Sequence, residues 1–386
     1  MSRSLCWALL LSCVLVLGEA KKDMTKDDLR PLSSANGYDI AAMVLLAVGL
    51  ALASAGGVGG GTMVVPVLIL VMGFDIKFAT PTSNFIIMGG AVANAIFNLQ
   101  KRHPYANRPL VDADICMAMI PSMMGGAVVG ALLSKLLPSY VISVLLVMLL
   151  GVSGYRTMQK GIKLHKKEVA TKQKLLEEQA AAPVQDVPQS PLLDQIQATG
   201  FQEVRSPAVE VHLDVPGDKP KQALVMDQEL EIQALLDAES RFNWKKHGIL
   251  LVCFLGILAA TIGGAESHCG SVAYWVLLIV ELPWVFVFTY FFVHRMRKLQ
   301  EHKRAINFPK VAGDIEWTNK TVVYFPLSCT GAGIVAGLFG VGGAIISGPL
   351  MLEMGVLPEV ASSSSAILVL YSSAAASAKF ALFNMI

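Results

Sequence analysis

The stretch GGVGGGTMVVPVLIL at 56–70 decides the fold, because it returns later in the chain as GVGGAIISGPLMLE at 340–353. A Gly-Val-Gly-Gly tetrapeptide occurs in both strings, and one proline recurs at the same offset, as Pro66 and Pro349. After a slip of one residue the repeat continues in five further pairs: Gly73 with Gly355, Ala79 with Ala361, Thr80 with Ser362, Thr82 with Ser364, and Ser83 with Ser365. Shared hydrophobicity does not place small residues and proline in register over such a length, so the chain contains an internal repeat.

Apolar segments occupy most of the chain outside one polar insert. They lie at 39–55, 58–73, 78–99, 115–137, 139–158, 247–264, 272–293, 321–339, 341–355 and 361–386. A span of the hydrocarbon core needs about 17–25 residues, so the shorter segments 58–73 and 341–355 are predicted to be half-helices or re-entrant pieces. Seven segments lie from the start of one repeat unit to the start of the other, which places the two starts on opposite sides of the membrane. The prediction is an all-α polytopic membrane protein with two inverted-topology repeats and Gly-rich broken or re-entrant segments.

The composition also points to the membrane. Hydrophobic residues make up 54% of the 386 residues and charged residues only 16%, which is more apolar surface than one soluble core of this length needs. The net charge of +2 provides no basic field that would hold nucleic acid. The expected partner is therefore the lipid bilayer, and nucleic acid is not expected.

The distribution of charge predicts the topology and the domains. The N-terminal apolar run is typical of a signal peptide cleaved after Ala20, with an uncleaved first helix as the alternative. Lysine and arginine concentrate around 101–108, 156–167 and 295–304, and the positive-inside rule places these loops in the cytoplasm. The predicted domains are a signal peptide (1–20), a short luminal or extracellular segment (21–38), a first transmembrane repeat (39–158), a cytoplasmic insert (159–246), two transmembrane helices (247–293), a cytoplasmic basic loop (294–320) and a second repeat (321–386). This second repeat ends before counterparts of 115–137 and 139–158, so we expect it to be truncated.

The insert is predicted to have three parts. Its charged beginning, 161–182, favours a helix, and its proline-rich middle, 183–221, is typical of a disordered segment. Apolar and acidic residues alternate over 224–241 in a pattern that indicates a short amphipathic helix. The predicted location is a membrane of the secretory pathway or the plasma membrane, and the protein partners of the insert stay unknown.

The paired glycine clusters mark places where a membrane helix can break. In hydrocarbon, non-helical backbone persists only against protein or a wet cavity, because unpaired N–H and C=O groups are costly there. A helix that restarts after the break directs unpaired N–H groups and its positive dipole end into that space, which suits an anion. The predicted substrate-binding residues are Gly57, Gly59, Gly60, Thr82, Ser83, Asn84, Gly340, Gly342, Gly343, Ser364 and Ser365. The alternative is that these small residues serve helix packing, as in Gly126-x-x-x-Gly130.

One acidic residue stands in the middle of an apolar segment. Glu281 lies within 272–293, next to Pro283, where a carboxylate must be paired, protonated or wet. Two interpretations stay open, a proton-coupling group and a structural carboxylate at a proline-loosened turn. The pattern shows no basic partner for it, and Lys379, near a segment end, is expected to extend toward the membrane surface.

The two glycine-rich regions resemble a known family. GGVGGGTMVVPVLIL with GFDIKFATPTSN, and GLFGVGGAIISGPLMLEMGVLPEVASSSSA, are similar to the signature regions of the sulfite exporter TauE/SafE family, particularly its eukaryotic members with a signal peptide and a long central loop. The similarity covers about 39–158 and 247–386. It implies export or exchange of small sulfur oxyanions or organosulfonates through two bundles related by inverted symmetry.

The functional prediction is a secondary transporter of small anions. The alternative is a membrane scaffold or receptor that acts through the cytoplasmic insert. An enzyme is not expected, because the spans contain no nucleophile and base at catalytic spacing and no metal constellation. Thr62 also stands where a nucleotide-binding P-loop requires lysine. No cofactor and no metal are predicted.

Overall fold

The structure is a computed structural model that describes residues 37–55, 60–104, 106–181, 219–240, 244–266, 272–306, 308, 315, 317–383 and 385. Within these ranges the chain forms eleven helices: α1 (Gly37–Ala55), α2 (Gly61–Leu70), α3 (Ile76–Leu99), α4 (Ala113–Leu136), α5 (Ser139–Ala181), α6 (Lys219–Ser240), α7 (Trp244–Glu266), α8 (Val272–Ala305), α9 (Asn319–Phe339), α10 (Ala344–Glu353) and α11 (Pro358–Leu382). Packing groups the chain into two units, one of residues 1–153 with 229–386 and one of residues 154–228.

Seven of the described helices are long and apolar enough to cross a membrane, namely α3, α4, the first part of α5, α7, α8, α9 and α11. Three shorter apolar helices accompany them, at Ile40–Ala51 in α1 and over the whole of α2 and α10. With a rise of 1.5 Å per residue, a ten-residue helix reaches about 15 Å, half of the hydrocarbon core. The prediction of an all-α polytopic membrane protein is confirmed.

The internal repeat is visible in the order of helices. Each repeat unit consists of a long helix, a ten-residue helix with an internal proline, and a second long helix. These are α1, α2 and α3 in the first repeat unit, and α9, α10 and α11 in the second. The turn after each short helix contains a glycine in the left-handed region, Gly73 with φ 72° and Gly355 with φ 85°. Glycine tolerates this conformation because it has no β-carbon. The one-residue slip in the sequence repeat thus falls in the short helix or the turn that follows it.

Equivalent helices of the two repeat units run in opposite directions. Helix α3 ends at Leu99, where a small loop leads to α4. Helix α11 begins at this same loop, because the Ser363 hydroxyl donates to the Leu110 carbonyl oxygen at 3.3 Å. Two inverted repeats would have this arrangement.

Polar contacts bring three charged segments to one end of the bundle, which we call the basic end. Lys303 of α8 forms an ion pair with Glu239 of α6 at 2.5 Å, and Arg102 donates to the Ser240 carbonyl oxygen at 3.0 Å. The loop before α4, the last turn of α6 and the last turn of α8 therefore lie together. This agrees with a topology in which all three are on the same side of the membrane.

Two predicted boundaries differ from the structure. Helix α8 continues to Ala305, through the first part of the predicted loop 294–320, because its lysine, arginine, glutamine and glutamate residues are good helix formers. Helix α5 continues past the predicted span to Ala181, as the helix-prone beginning of the insert indicated. Helix α6 matches the predicted amphipathic helix. The predicted signal peptide and most of the proline-rich middle lie outside the described residues.

The basic end is expected to face the cytoplasm, and the sequon Asn319-Lys320-Thr321 is expected to carry no glycan. Thr318 and Thr321 form a capping box at the start of α9, with the Thr318 amide donating to Thr321 Oγ1 at 2.7 Å. The sequon threonine is thus engaged at the first helical turn. Protease protection in sealed microsomes tests the topology: the insert should be cleaved from outside. Protection of the insert from external protease, or a glycan on Asn319, would show that the predicted topology is wrong.

The centre of the bundle is a close crossing of α4 and α9. A β-carbon added at Gly126 or Gly130 of α4 would overlap backbone carbonyl oxygens of α9, and one added at Gly333 or Gly337 of α9 would overlap those of α4. Later residues of α4 contact later residues of α9, so the two helices run in the same direction. For Gly126 and Gly130 the structure supports the packing interpretation.

Candidate functional site

The glycine-rich loop between α9 and α10 lies against the first turns of α3. Gly340 has a left-handed backbone with φ 67°, and its carbonyl oxygen accepts a buried hydrogen bond of 2.6 Å from the Ser83 hydroxyl. A β-carbon added at Gly340 would overlap the carbonyl oxygen of Thr80. The two repeat units therefore meet backbone to backbone. We call this region, formed by 80–84 and 340–344, the glycine crossing.

The first unit contributes a glycine of its own to this region. A β-carbon added at Gly61, the first residue of α2, would overlap the carbonyl oxygen of Val341. Val341 and Ile345 belong to the same buried cluster as Val65 of α2. The starts of the two short helices, α2 and α10, therefore lie close to each other.

The start of α10 presents its positive end to this region. Gly343 is the N-cap residue, and its carbonyl oxygen accepts from the amides of Ile346 at 3.2 Å and Ser347 at 3.0 Å. The amides of the first turn itself have no partner within the helix. Gly342, with φ 70°, stands next to Ile87 of α3, whose Cγ2 atom would lie 3.4 Å from an added β-carbon. The dipole of α10 thus favours a negative charge beside α3.

Buried polar atoms without partners occur on the three helices that meet at the glycine crossing, α3, α10 and α11. Four of them have no hydrogen-bond partner in the described part of the chain: Thr80 Oγ1, Asn84 Oδ1, Ser347 Oγ and Ser365 Oγ. An unpaired buried polar atom costs about 1–3 kcal/mol. Such atoms indicate where a ligand or water completes the hydrogen bonds, and Thr80 is in direct contact with the glycine loop at Gly340.

Helical spacing places Asn84 inside the crossing. Thr80, Asn84 and Ile87 follow one another at intervals of four and three residues, so they share one face of α3. Gly340 contacts α3 at Thr80, and Gly342 contacts it at Ile87. Asn84, which is fully buried, therefore lies between these two contacts. Its amide donates to the Thr80 carbonyl oxygen at 3.4 Å, which leaves a second N–H for another acceptor.

Comparison with known proteins finds similarity to one family. The family described as Sulfite exporter TauE/SafE matches residues 1–177. The "Sulfite exporter TauE/SafE family protein 3" of Arabidopsis thaliana is 31% identical over 325 residues, which are 84% of this chain and 62% of that protein. Family protein 5 of the same plant is 27% identical over 363 residues, 90% of this chain and 70% of that protein. The chain is similar to the TauE/SafE family model over its N-terminal part and to these plant family members over most of its length.

The chain spans 62% of the length of family protein 3. No solved structure matches it. The family and the seven candidate spans together show an integral, multi-pass membrane protein.

The predicted site residues fall into four groups. Those at or beside the glycine crossing are Ser83, Asn84, Gly340, Gly342, Gly343 and Ser365. Gly60 is the N-cap of α2 and packs against the side chain of Leu50. Gly57 and Gly59 lie outside the described residues, and their role stays a prediction.

The hydroxyl groups of the other two predicted residues, Thr82 and Ser364, form hydrogen bonds outside the glycine crossing. Thr82 donates to the Phe78 carbonyl oxygen of its own helix at 2.8 Å. Ser364 accepts from the amide of Asp112 at 3.3 Å and so holds the start of α4. Asp112 caps α4 by accepting from the amide of Asp114 at 2.8 Å, and burial, followed by the charge of Asp114, raises the pKa of the Asp112 carboxyl.

Glu281 has a basic partner that the sequence did not reveal. The Lys379 ammonium of α11 lies 2.5 Å from Glu281 Oε1, and each side chain is 1% exposed. Thr261 of α7 donates to the same oxygen at 3.1 Å. The expectation that Lys379 extends toward the membrane surface is therefore wrong, because the carboxylate of Glu281 compensates its charge inside the bundle.

Sequence reasoning did not assign Ser347 to the site. It lies four residues after Gly343 in α10, one helical turn inside the short helix. The sequence did contain a signal for Ser347, because it is a serine in an apolar ten-residue segment that begins at the glycine cluster. Thr80 was paired with Ser362 in the repeat but was not among the predicted substrate-binding residues. Which face of α3 meets the glycine loop depends on where α9 ends, and the sequence does not show this.

Proposed function

We propose that the chain is a secondary transporter of small anions and that the glycine crossing is its substrate site. The observation that carries the proposal is that the α10 N-terminus lies beside α3 and that three buried hydroxyls of the helices meeting there, those of Thr80, Ser347 and Ser365, have no hydrogen-bond partner in the described part of the chain. Amide and hydroxyl donors at a helix N-terminus are the groups that bind oxyanions. The names of the plant relatives specify sulfite export, and on that basis the proposed substrates are sulfite-type sulfur oxyanions and organosulfonates.

The chemistry of the crossing suits a tetrahedral or pyramidal oxyanion. Hydroxyl groups of Thr80, Ser347 and Ser365 can each donate one hydrogen bond, and the Asn84 amide can donate one more. These donors are neutral, so within the crossing itself the helix dipole provides the positive potential that favours a negative charge. Such a site binds an anion without holding it so strongly that it cannot leave.

The two repeat units provide the moving parts of the proposed transporter. In inverted-repeat transporters the substrate site lies where broken helices of the two halves meet, and one half rocks against the other. Here Gly340 of the second unit rests on α3 of the first, and Gly61 of the first rests on Val341 of the second. A movement of one unit against the other would open this contact on one side.

The test is uptake of ³⁵S-sulfite by proteoliposomes that contain the 386-residue chain. Saturable uptake above that of protein-free vesicles, inhibited by excess methanesulfonate, is expected. Absence of saturable uptake from a correctly inserted, monodisperse protein would contradict transport. It would favour the alternative, a membrane scaffold or receptor acting through the insert.

The Thr80→Val variant is expected to raise the KM for sulfite roughly fivefold, since one neutral hydrogen bond is worth about 1 kcal/mol. Valine has nearly the same shape and removes only the hydroxyl. The matched control is Thr330→Val in α9, whose hydroxyl donates to the Pro326 carbonyl oxygen of its own helix at 2.9 Å. Equal KM values for both variants and the wild type would place the anion elsewhere.

A further inference from the structure

A buried charge cluster lies between three helices, separate from the glycine crossing. It consists of Glu281 of α8, Lys379 of α11 and Thr261 of α7, and the described side chains of the cluster are at most 2% exposed. Oε1 of Glu281 receives both hydrogen bonds, from Lys379 at 2.5 Å and from Thr261 at 3.1 Å. Oε2 is buried and has no partner in the described part of the chain. One oxygen of the carboxylate thus accepts two hydrogen bonds, and the other oxygen can still accept one.

The cluster lies deep in the bundle. Glu281 is about 14 Å along α8 from its first residue, at 1.5 Å per residue, and it lies in an apolar window that qualifies as a membrane span. Charged residues on the other helices packed around the pair stand in first or last turns: Lys77 of α3, Asp114 and Lys135 of α4, Lys245, Lys246, His247 and Glu266 of α7, Lys320 of α9, Glu353 of α10 and Glu359 of α11. On α8 itself the other charged residues begin at His294, about 20 Å along the helix from Glu281. Lys135 lies over the ring of Phe383, 4.2 Å from its centre. Of the described residues, Lys379 and Thr261 are the ones that donate hydrogen bonds to the Glu281 carboxylate.

The cluster is joined to the glycine crossing through one rigid element. Helix α11 carries Lys379 near its end and Ser365 fourteen residues earlier. Val369, one turn after Ser365, stands next to Gly342 at the crossing. The Glu281–Lys379 ion pair therefore fixes the position of the same helix that contributes to the proposed anion site. A change at the pair can reach the anion only through α11 or through its charge.

We propose that Glu281 is a proton-binding site that couples proton movement to anion transport, and that Lys379 is its positioning partner. This rests on the proposed transport function and adds the coupling ion to it. A proton from water adds to the vacant Oε2, which makes the carboxyl group neutral and leaves the ammonium of Lys379 uncompensated. A monovalent anion then restores neutrality inside the bundle, so one proton accompanies one anion. The freed Lys379 also releases α11 from α8, which permits the movement of one repeat unit.

Transport of ³⁵S-isethionate across a pH gradient tests the proposal, because the charge of a sulfonate does not change between pH 5 and 8. In the wild type an inward proton gradient should raise the initial uptake rate several-fold. Glu281→Gln mimics the protonated carboxyl and keeps its hydrogen bond to Thr261, so its uptake should no longer respond to the gradient, while exchange of internal for external isethionate continues. Lys379→Arg should retain the gradient response, because it keeps the charge.

The control is Thr289→Val, which lies on the same helix two turns after Glu281 and removes a neutral contact with Ser122 of α4. It should keep the wild-type pH response. A wild-type response in Glu281→Gln would overturn the proposal, as would uptake in the wild type that is independent of the gradient. If the wild type transports no anion at any pH, the proposed function fails instead, so the two failures differ.

A second measurement applies if Glu281→Gln does not fold. Infrared difference spectra of the wild-type protein, titrated in the membrane, should show a protonated carboxyl band that shifts when isethionate binds. In Thr261→Val, which removes one hydrogen bond to Glu281, the band should move in frequency. A carboxyl band insensitive to both isethionate and Thr261→Val would overturn the proposal.

Discussion

Gly340→Val is expected to lower anion uptake about 100-fold or more, which corresponds to roughly 2.7 kcal/mol. Gly340 has φ 67°, a conformation that is strained for residues with a β-carbon and most of all for β-branched ones. The new β-carbon would also overlap the Thr80 carbonyl oxygen, and a backbone atom inside a helix cannot move aside. The substitution therefore has to separate the loop from α3 and break the bond from the Ser83 hydroxyl.

The measurement is ³⁵S-sulfite uptake at equal amounts of membrane-inserted protein. Insertion should be unaffected, because it depends on the hydrophobicity of the segment. Gly340→Ala should be milder, and Gly342→Val should also reduce uptake, since Gly342 has φ 70° and only side chains near its β-carbon position. The control is Gly331→Val in the preceding helix, α9, where an added β-carbon meets no atom of the described residues within 4 Å. Normal uptake by Gly340→Val would show that the glycine crossing is a packing feature only.

The repeat was predictable from the sequence because its signals are local. Proline, glycine and small residues in register indicated two short helices, and the structure has them as α2 and α10 with left-handed glycines after each. Segment lengths and hydropathy indicated the spans. These properties depend on neighbouring residues in the chain, so no knowledge of tertiary packing is needed.

The direction of a hydroxyl group was not predictable in the same way. Thr80 and Thr82 are two residues apart, which on a helix places them on different faces. Which of the two faces the glycine loop depends on where α9 ends relative to α3, and this is a tertiary property. Thr82 and Ser364 were therefore assigned to the site by the repeat, although their hydroxyls bond to Phe78 and Asp112.

The partner of Glu281 was hidden for a related reason. Lys379 is 98 residues away in the sequence, in a serine- and alanine-rich helix whose pattern shows no buried charge. A lysine near a segment end usually extends to the membrane surface, and only the packing of α11 against α7 and α8 excludes this. That contact explains how the carboxylate is accommodated inside the membrane, since an intramembrane carboxylate needs a partner, and proton coupling stays a proposal.

Gly126→Leu is expected to destabilise the bundle by about 3 kcal/mol or more, at the upper end for overpacking a core. A leucine side chain at this position would overlap the Thr330 carbonyl oxygen and the backbone of α9 around Gly333. Helices α4 and α9 are parallel and in backbone contact over two turns, so neither can yield locally. The expected result in detergent is a lower Tm and a smaller monodisperse fraction.

The chain itself offers the control, because the sequence MGGAV occurs twice, at 88–92 in α3 and at 124–128 in α4. Gly90 has the same local sequence as Gly126, but an added β-carbon at Gly90 meets no atom within 4 Å in the part of the chain that the structure describes. Gly90→Leu should therefore leave the Tm nearly unchanged, although both substitutions change helix propensity by the same amount. If both variants lower the Tm equally, the cause is the local helix and not the crossing of α4 and α9.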